Sequence, residues 1–391
     1  MAAFILSAVR IPIGKFLGGL SELTAPKLGS LAIAEAIKRA GVAPADVCEV
    51  IMGNVVQAGV GQNPARQAAL GAGLPDTINA HTTNMVCGSG LKAAMLAVQA
   101  IEAGDADLVV AGGMESMSNA PFLLPKVRQG YKYGDQAIQD SLVKDGLWCA
   151  FENWPMGNAA EHIATKCSIS RGEQDRFSAQ SHHRAAKAWE TGAFASEVLS
   201  VTVGSGSKST VVSKDEGIRA DSSVEGLGKL KPAFAKDGTV TPGNASQLSD
   251  GAAAVVIASA AEVEKRNAKP LARIIASATS GVHPKDIFIA PVTAVQAVLK
   301  KAKLTLDQID LFELNEAFAS QMLACAGELK LDEAKVNVNG GAIAIGHPIG
   351  ASGARVLTTL VHALHAHNKR YGLASLCLGG GNAVAMVIER V

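Results

Sequence analysis

The chain has 391 residues, 48% hydrophobic and 18% charged, with a formal net charge of +1. This composition excludes a disordered chain, and the near-zero charge gives no electrostatic reason to expect nucleic acid or an acidic membrane as a partner. A chain of this length exceeds one ordinary hydrophobic core, so we expect two or three domains.

The first third of the chain alternates predicted strands and helices. Residues 4–9, 49–56 and 106–111 are apolar segments that predict strands, and helical spacing of apolar residues predicts helices over 28–40 and 91–103. The segment 4–9 is too short for a signal-peptide core or a membrane span. Such alternation favours an α/β fold with a mostly parallel sheet covered on both faces.

Residues 118–249 differ from the segments on either side. They are richer in proline, glycine, serine and charge, and they contain a predicted helix over 171–191 and a hairpin-like segment over 196–213. Binding elements are often carried on irregular segments of this kind. We therefore interpret 118–249 as a loop region that is inserted into the scaffold and covers the substrate.

A weak internal repeat relates the two ends of the chain. Three short matches occur in the same order, namely Asn54 with Asn315, Ser89 with Ser352, and Gly112 with Gly379. The matches suggest two similar α/β halves that arose by duplication. Short glycine-rich matches also arise by chance, so the repeat alone leaves duplication undecided.

Cys87 lies in the segment TTNMVCGSGLKAAML, where a strand-like approach ends and Gly-Ser-Gly opens an amphipathic helix. A thiol at the N-terminus of a helix is close to the positive end of the dipole, which favours the thiolate. Cys87 is therefore a candidate nucleophile. The alternative is a small buried apolar side chain, which is the role of most single cysteines.

Three further polar positions follow apolar segments of the second half. His347 stands between glycines in AIGHPIG, where a rigid imidazole would suit proton transfer or would merely satisfy a loop carbonyl. Cys377 ends a buried strand before three glycines, and a core cysteine is again the alternative. Asn315 and Glu316 end the strand of LFELNEAFA, where α/β proteins bind ligands, although Asn315 could also cap the next helix.

Other histidine and glycine patterns predict no metal or phosphate site. The segment 203–210 lacks the glycine that precedes the lysine of a phosphate-binding loop. His362, His365 and His367 are expected to interact with a helix C-terminus, and His182 and His183 are expected on a solvent-facing helix. The six cysteines occur singly, which favours reduced thiols in a cytoplasmic protein.

Taken together, several long segments resemble the thiolases over the whole chain, and most of all their bacterial biosynthetic branch, the acetyl-CoA C-acetyltransferases (acetoacetyl-CoA thiolases). They include SAVRIPIGKFLGGL, NPARQAALGAGLP, NMVCGSGLKA, GGMESMSNAP, GTVTPGNASQLSDGAAA, NEAFA, NVNGGAIAIGHPIGASGAR and CLGGGNAVA. The resemblance implies two similar βαβαβαββ halves in five layers, α-β-α-β-α, with an inserted loop domain. The implied boundaries are 1–117 with 250–270 for the first half, 118–249 for the loop domain, and 271–391 for the second half.

The resemblance also implies an activity, the reversible condensation of two acetyl-CoA to acetoacetyl-CoA and coenzyme A through an acetyl thioester. Cys87 would accept the acetyl group, and His347 would take its proton and later stabilise an oxyanion. Cys377 would act as acid and base at the α-carbon of the second substrate. Asn315 would hold a water molecule, and the backbone N–H of Gly379 would complete a second oxyanion hole with that of Cys87.

The same resemblance implies coenzyme A as substrate, with no tightly bound cofactor and no metal. The implied contacts with coenzyme A are Leu147, Met156, Arg219, Phe234, Ser246, Ala317 and Phe318. The implied assembly is a cytoplasmic homotetramer, a dimer of dimers, with neither nucleic acid nor membrane as a partner.

Two departures from the biosynthetic branch leave the acyl-chain length open. Those enzymes usually have His-Met-Gly in the lid, where this chain has Pro155 before Met156, and Met-Gly in the second half, where it has Ile287 and Phe288. Phe288 could narrow the acyl pocket or merely fill the core. A 3-ketoacyl-CoA thiolase for longer chains, a decarboxylating ketoacyl synthase and a non-catalytic acyl-CoA-binding protein remain as alternatives.

Overall fold

A computed structural model of the chain describes residues 2–391 and contains sixteen strands and eleven α-helices within that range. The strands are β1 (Ala3–Arg10), β2 (Gly14–Lys15), β3 (Glu49–Gly53), β4 (Asn79–Thr83), β5 (Leu108–Ser116), β6 (Phe122–Leu123), β7 (Gln139–Asp140), β8 (Trp148–Cys149), β9 (Trp154–Pro155), β10 (Val201–Val203), β11 (Thr210–Val212), β12 (Ser249–Ser259), β13 (Ala272–Gly281), β14 (Leu311–Leu314), β15 (Tyr371–Leu378) and β16 (Asn382–Arg390). The helices are α1 (Ala25–Ala40), α2 (Pro64–Gly71), α3 (Ser89–Ala103), α4 (Met156–Lys166), α5 (Arg171–Glu190), α6 (Val224–Gly228), α7 (Ala260–Arg266), α8 (Ala290–Ala302), α9 (Ala319–Leu329), α10 (Ala342–Ile345) and α11 (Ile349–Ala366).

The predicted elements of the first third form where the sequence places them, with differences at their ends. Helix α1 begins three residues early because Pro26 fits its first turn. Strand β5 continues past residue 111 through Gly112 and Gly113. These two glycines stay in the strand because other backbone approaches them closely. A Cβ on Gly112 would lie 2.3 Å from the Ala253 carbonyl oxygen.

The two halves of the chain form half-sheets with the same strand order. In the first half the order is β4-β3-β5-β12-β1, and in the second it is β14-β15-β16-β13. The second half has no strand equivalent to β4 among the described residues. An isolated β-bridge between Val336 and Phe312, a residue of β14, takes that edge position. Strands β1 and β13 also carry a bulge at equivalent places. The duplication that the sequence left undecided is therefore confirmed.

The expectation of a mostly parallel sheet is wrong. Only β3 with β4, β3 with β5, and β14 with β15 pair in parallel among the sheet's described strands. The last strand of each half, β12 or β16, lies antiparallel between two others. The short turn from β15 to β16 permits only an antiparallel pair, and hydrophobic periodicity does not reveal strand direction.

Helices cover and separate the two half-sheets. Helices α1 and α2 pack on the outer face of the first half-sheet, and α8 packs on the outer face of the second. Helices α3 and α11 pack against each other between the half-sheets, and α11 is buried on nearly every side. The five layers α-β-α-β-α implied by the resemblance are confirmed, and β1 joins the half-sheets through a short pairing with β13.

The segment between β5 and β12 contains the predicted hairpin and helix. Strands β10 and β11 pair antiparallel, and α5 begins with a capping box formed by Ser170 and Glu173. The expectation of a solvent-facing helix is wrong for His182, because α5 packs on α6, α9 and α10 and His182 lies on its buried face. Its side chain is 3% exposed, and burial lowers the pKa of His182 to about 4.

His362 and His365 bind carbonyl groups of neighbouring segments instead of their own helix end, whereas His367 is the C-cap of α11 and its backbone N–H donates to the Ala363 carbonyl. His362 Nε2 lies 2.9 Å from the Ala8 oxygen, and His365 Nε2 lies 2.8 Å from the Leu271 oxygen. Across residues 2–391 the structure shows no group of three or more His, Cys, Asp or Glu side chains that could hold a metal ion. None of the helices in that range has the length and apolar character needed to cross a bilayer.

Candidate active site

Cys87 follows a sharp turn in which Val86 adopts a φ of 48°. This left-handed conformation is strained for a β-branched residue and persists only where the surroundings impose it. Here the Val86 N–H donates to Asn84 Oδ1 at 3.0 Å. Ser89 Oγ accepts from the Met85 N–H at 2.9 Å and donates to the Val86 carbonyl at 2.6 Å. The turn therefore holds Cys87 in one position at the start of α3.

The glycines around Cys87 are required by close packing. A Cβ on Gly88 would lie 2.6 Å from Leu378 Cδ2, and one on Gly90 would lie 2.6 Å from the Ala354 nitrogen. The start of α3 can therefore approach both β15 and α11, which brings Cys87 to the second half of the chain. These close approaches explain why glycine occupies positions 88 and 90 of the segment Cys-Gly-Ser-Gly.

The expected preference of Cys87 for the thiolate is wrong for the ligand-free site. Burial raises the pKa of Cys87 to about 12, although the backbone N–H groups of Cys87 and Gly379 favour the anion. The negative charge of Glu115 raises the pKa further. Because desolvation outweighs the two N–H groups and the helix dipole, Cys87 rests as a neutral thiol.

His347 is buried, and its hydrogen bonds define which ring nitrogen carries the proton. Nδ1 lies 2.6 Å from Ser352 Oγ, and the Ser352 hydroxyl donates to the Pro348 carbonyl at 2.9 Å. Ser352 Oγ must therefore accept from Nδ1–H, which leaves the lone pair on Nε2. Burial, and then the charge of Arg355, lowers the pKa of His347 to about 3. His347 is thus a neutral imidazole with a basic Nε2.

Asn315 lies beside this basic nitrogen. Its Nδ2 is 3.4 Å from His347 Nε2, and its backbone N–H donates to the Ser375 carbonyl at 3.0 Å. Asn315 Oδ1 is buried and makes no hydrogen bond with the described residues. The side chain therefore presents an acceptor to the site, which fits the ordered water implied by the resemblance.

Cys377 ends β15 and lies within an apolar cluster that also contains Phe288 and Ala317. Burial raises the pKa of Cys377 well above its ordinary value, and a negative charge on Cys87 or Cys325 would raise it further. Leu378 and Gly379, which follow Cys377, pack on Gly88 and Val86. The two cysteines, 290 positions apart in the chain, therefore lie on adjoining backbone segments. Cys377 also rests as a thiol.

The tight turn after Cys377 brings Gly379 against the Cys87 turn. A Cβ on Gly379 would lie 3.2 Å from Val86 Cγ1, and the Gly379 N–H is directed to the Cys87 sulfur. The next two residues, Gly380 and Gly381, have φ values of 85° and 90°, which favour glycine. Two backbone N–H groups, from Cys87 and Gly379, thus converge on one point.

Most of the expected coenzyme contacts surround the two thiols. Met156, Phe234, Ala317 and Phe318 belong to the cluster of Cys377, whereas Leu147 packs in the cluster of Cys87. The Ser246 N–H donates to the Ala317 carbonyl at 3.0 Å. Arg219 lies outside these clusters with an exposed side chain, and its backbone N–H donates to His182 Nδ1 at 3.1 Å.

Two buried side chains of the site were missed by sequence reasoning. Ser352, noted only as part of the repeat, orients His347. Glu115 is the sole charged residue of the apolar strand LVVAGGMES, and burial raises its pKa to about 7. A single acid in such a strand was the available signal. Glu316, in contrast, binds Ser181 Oγ at 2.7 Å and Asn337 Nδ2 at 2.8 Å and anchors the loop before His347.

Replacing Ser352 with alanine should lower kcat by about 10- to 100-fold, because the His347 ring loses the partner that fixes its orientation and tautomer. KM for the thioester should change little. Steady-state kinetics of Ser352→Ala and Ser352→Thr test this expectation, since threonine retains the hydroxyl. Equal losses in both variants would contradict it.

These features define an α/β protein built from two duplicated halves, with two cysteines where the halves meet, the half-buried Cys87 and the buried Cys377. Models of the thiolase N-terminal and C-terminal domains match residues 3–261 and 268–390. The chain therefore belongs to the thiolase family.

Individual relatives match the chain over nearly its whole length. The chain is 53% identical over 388 residues to the acetyl-CoA acetyltransferase of Escherichia coli, covering 99% of this chain and 98% of that protein. A probable acetyl-CoA acyltransferase of Staphylococcus aureus is 50% identical over 387 residues, with the same two coverages of 99% and 98%. The crystal structure of the Bacillus anthracis acetyl-CoA acetyltransferase matches with a TM-score of 0.98 and 43% identity, covering 100% of this chain and 99% of that chain.

Proposed function

We propose that this chain is an acetyl-CoA C-acetyltransferase that condenses two acetyl-CoA to acetoacetyl-CoA and coenzyme A and also catalyses the reverse thiolysis. The observation that carries the proposal is the packing of the Cys377 turn on the Cys87 turn, which brings two cysteines together from opposite halves of the fold. A hydrolase that uses one cysteine and one histidine has no need of the second thiol. The names of the relatives over the full length support the same activity.

The first half-reaction transfers an acetyl group to Cys87. As the sulfur attacks the thioester carbonyl, its proton passes to His347 Nε2, whose turn packs on Cys87 through Ile349. The carbon–sulfur bond to coenzyme A then breaks, and the leaving thiolate takes a proton from Cys377. The products are acetyl-Cys87, free coenzyme A, a Cys377 thiolate and a protonated His347, so protons and charge balance.

The second half-reaction forms the carbon–carbon bond. The Cys377 thiolate removes an α-proton from a second acetyl-CoA, and the resulting enolate attacks the acetyl carbonyl on Cys87. Breakage of that thioester releases acetoacetyl-CoA, and the Cys87 sulfur regains its proton from His347. Each cysteine ends as the neutral thiol that the ligand-free site contains.

Two oxyanion holes would make these steps feasible. The converging N–H groups of Cys87 and Gly379 suit the tetrahedral carbon that forms on Cys87. His347 Nε2, with a water held by Asn315, suits the enolate oxygen of the second substrate. Donors arranged in advance around a developing negative charge commonly contribute a large share of catalysis.

We further propose that 118–249 forms the substrate lid between the halves given by 1–117 with 250–270 and by 271–391. Leu147, Met156, Phe234, Ser246, Ala317 and Phe318 would contact the pantetheine of coenzyme A, and Arg219 would meet its phosphates. No other cofactor enters the proposed reaction. The exposed apolar side chains of Phe122, Leu124, Val127 and Ile138 support assembly with further copies as a cytoplasmic homotetramer.

The proposed activity is tested with the purified protein in both directions. Acetyl-CoA alone should yield acetoacetyl-CoA and free coenzyme A, and acetoacetyl-CoA with coenzyme A should return acetyl-CoA. Tight binding of coenzyme A without turnover would favour a non-catalytic binding protein. Condensation that requires a malonyl thioester would favour a decarboxylating synthase. Either outcome would overturn the proposal.

The acyl pocket should favour short chains because Phe288 occupies the cluster of Cys377. Its ring is 2% exposed and packs on the Phe318 ring with centroids 5.2 Å apart. Four-carbon ketoacyl-CoA should be cleaved faster than the ten-carbon substrate, and Phe288→Leu should shift this preference about 10-fold towards the longer chain.

Phe194→Leu is the matched control, because Phe194 is equally buried but belongs to a different cluster. It should leave the ratio of the two thiolysis rates unchanged. A wild-type protein that cleaves the ten-carbon substrate as fast as the four-carbon one would instead support a 3-ketoacyl-CoA thiolase for longer chains.

A further inference from the structure

Glu115 is a fully buried carboxylate near the end of β5, and all four of its partners are N–H donors. Oε1 accepts from Asn54 Nδ2 at 2.6 Å and from the Val56 N–H at 3.2 Å. Oε2 accepts from the Val55 N–H at 3.1 Å and from the Gly350 N–H at 2.8 Å. Because each partner donates, the set is matched to the ionised carboxylate.

The four partners of Glu115 come from both halves of the fold. Asn54, Val55 and Val56 follow β3 in the first half, whereas Gly350 lies in the first turn of α11 in the second half. The N-cap of α11 is Pro348, which supplies no side-chain cap. Glu115 therefore takes that role from another element, at the positive end of the helix.

Gly350 is three residues after His347, so this contact bears on the proposed base. The first turn of α11 is pressed onto the first half, because a Cβ on Gly113 would lie 2.1 Å from the Gly350 carbonyl oxygen. A Cβ on Gly53 would lie 2.7 Å from the same oxygen. Within this tight packing, Glu115 is the charged side chain that binds the turn.

Glu115 also lies near the other member of the proposed pair. The backbone N–H groups of Val55 and Val56 bind its carboxylate, and the side chains of the same two residues belong to the cluster on which Cys87 packs. Its negative charge is the charge that raises the pKa of Cys87, after the larger effect of burial. Cys377 and His347 are neutral at rest, since burial raises the pKa of Cys377 and lowers that of His347. The positive charge of Arg355 acts on His347 and is not among the causes that shift the pKa of Cys87. One carboxylate thus touches the turn of His347 and opposes ionisation of Cys87.

We propose that Glu115 is a positioning residue with two separable effects: its hydrogen bond to Gly350 fixes the His347 turn against the Cys87 half, and its charge adds to the burial that opposes ionisation of Cys87. The first effect rests on the proposed acyl transfer. The second is a property of the thiol alone and can be measured without any turnover.

Two variants separate the hydrogen bond between Glu115 and Gly350 from the negative charge of Glu115. Glu115→Gln removes the charge and can keep the contact with Gly350. Its amide nitrogen can face Asn54, whose Oδ1 makes no hydrogen bond with the described residues and can turn to accept. The Val56 N–H loses its acceptor in this variant, because it donates to the same oxygen of Glu115. Glu115→Asp keeps the charge, but its side chain is one methylene shorter and withdraws from Gly350.

The charge is tested by alkylation of Cys87 with iodoacetamide at about pH 8, followed by mass spectrometry of the peptide that contains Cys87. Glu115→Gln should react about 10-fold faster than the wild type, because loss of the nearby charge increases the thiolate fraction. Glu115→Asp should react within about twofold of the wild type. An unchanged rate in Glu115→Gln would overturn this half of the proposal, even if the protein proved to lack transferase activity.

The role of the hydrogen bond between Glu115 and Gly350 is tested by steady-state kinetics with acetyl-CoA. Glu115→Asp should lose about 10- to 100-fold in kcat with little change in KM, because a small displacement of the base is costly. Glu115→Gln should lose much less. Thermal unfolding of both variants confirms that each is folded. Wild-type kcat in a folded Glu115→Asp would show that the contact with Gly350 does not position His347.

Discussion

Cys87→Ala is expected to abolish condensation and thiolysis, with losses on the order of 10⁴- to 10⁶-fold, and to retain no covalent label from radiolabelled acetyl-CoA. The change removes the sulfur that would carry the acetyl group, while the small side chain disturbs the packing of α3 little. In the wild type, the label should be found on the peptide that contains Cys87.

The exposed thiol of Cys48 provides the control for this experiment. Cys48→Ala should bind label and turn over as the wild type does, because Cys48 lies far along the chain from the Cys87 turn and its side chain faces solvent. Label that persists in Cys87→Ala would show that another group accepts the acetyl chain, and the assignment of the nucleophile would then be wrong.

The resting protonation of the site affects how this acylation depends on pH. With the pKa of Cys87 raised to about 12 and that of His347 lowered to about 3, the ligand-free pair is a neutral thiol and a neutral imidazole. Proton transfer between them is unfavourable until the substrate carbonyl and the N–H groups of Cys87 and Gly379 share the developing charge. Because a lowered pKa leaves the imidazole neutral, His347 remains a competent base well below the pH at which ordinary histidines are protonated.

The sequence predicts which side chains are reactive better than it predicts which of them lie close together in the fold. Cys87, His347 and Cys377 stand out because each lies in a turn rich in glycine between apolar segments, and close packing does require Gly88 and Gly379. Their proximity follows from contacts between residues hundreds of positions apart, which only the resemblance supplied. Spacing in one chain cannot show that Glu115 meets Gly350, 235 positions away.

The protonation state of Cys87 also could not be predicted from the sequence. The helix dipole at Cys87 is a local feature and could be inferred, but the desolvation that outweighs it comes from α11 and β15. The prediction of a mostly parallel sheet was wrong for a similar reason. The antiparallel position of β12 depends on how the inserted segment returns to the sheet, and no local pattern records that path.

Cys377→Ala should separate the two half-reactions, which makes it the sharpest test of a site with two thiols. The variant should still accept label from acetyl-CoA, because Cys87, His347 and the N–H of Gly379 are all retained. Acylation should be slower than in the wild type, because the leaving coenzyme A thiolate no longer receives a proton from Cys377. Formation of the carbon–carbon bond should fall by at least about 10²- to 10⁴-fold, since the base for the α-proton is gone.

Acetyl-Cys87 should therefore accumulate in Cys377→Ala, and exchange of the α-protons of acetyl-CoA with solvent should fall with condensation. The buried Cys325, which also belongs to the surroundings of Cys377, offers the matched control. Cys325→Ala should retain both label and exchange. A Cys377→Ala protein that forms no acetyl-Cys87 would show that acylation cannot proceed without the proton from Cys377, and the two half-reactions would then not separate. One that still exchanges α-protons at the wild-type rate would exclude it as the base. If acylation survives while exchange and condensation fail together, the two sulfurs divide one reaction, with Cys87 carrying the acetyl group and Cys377 moving the proton.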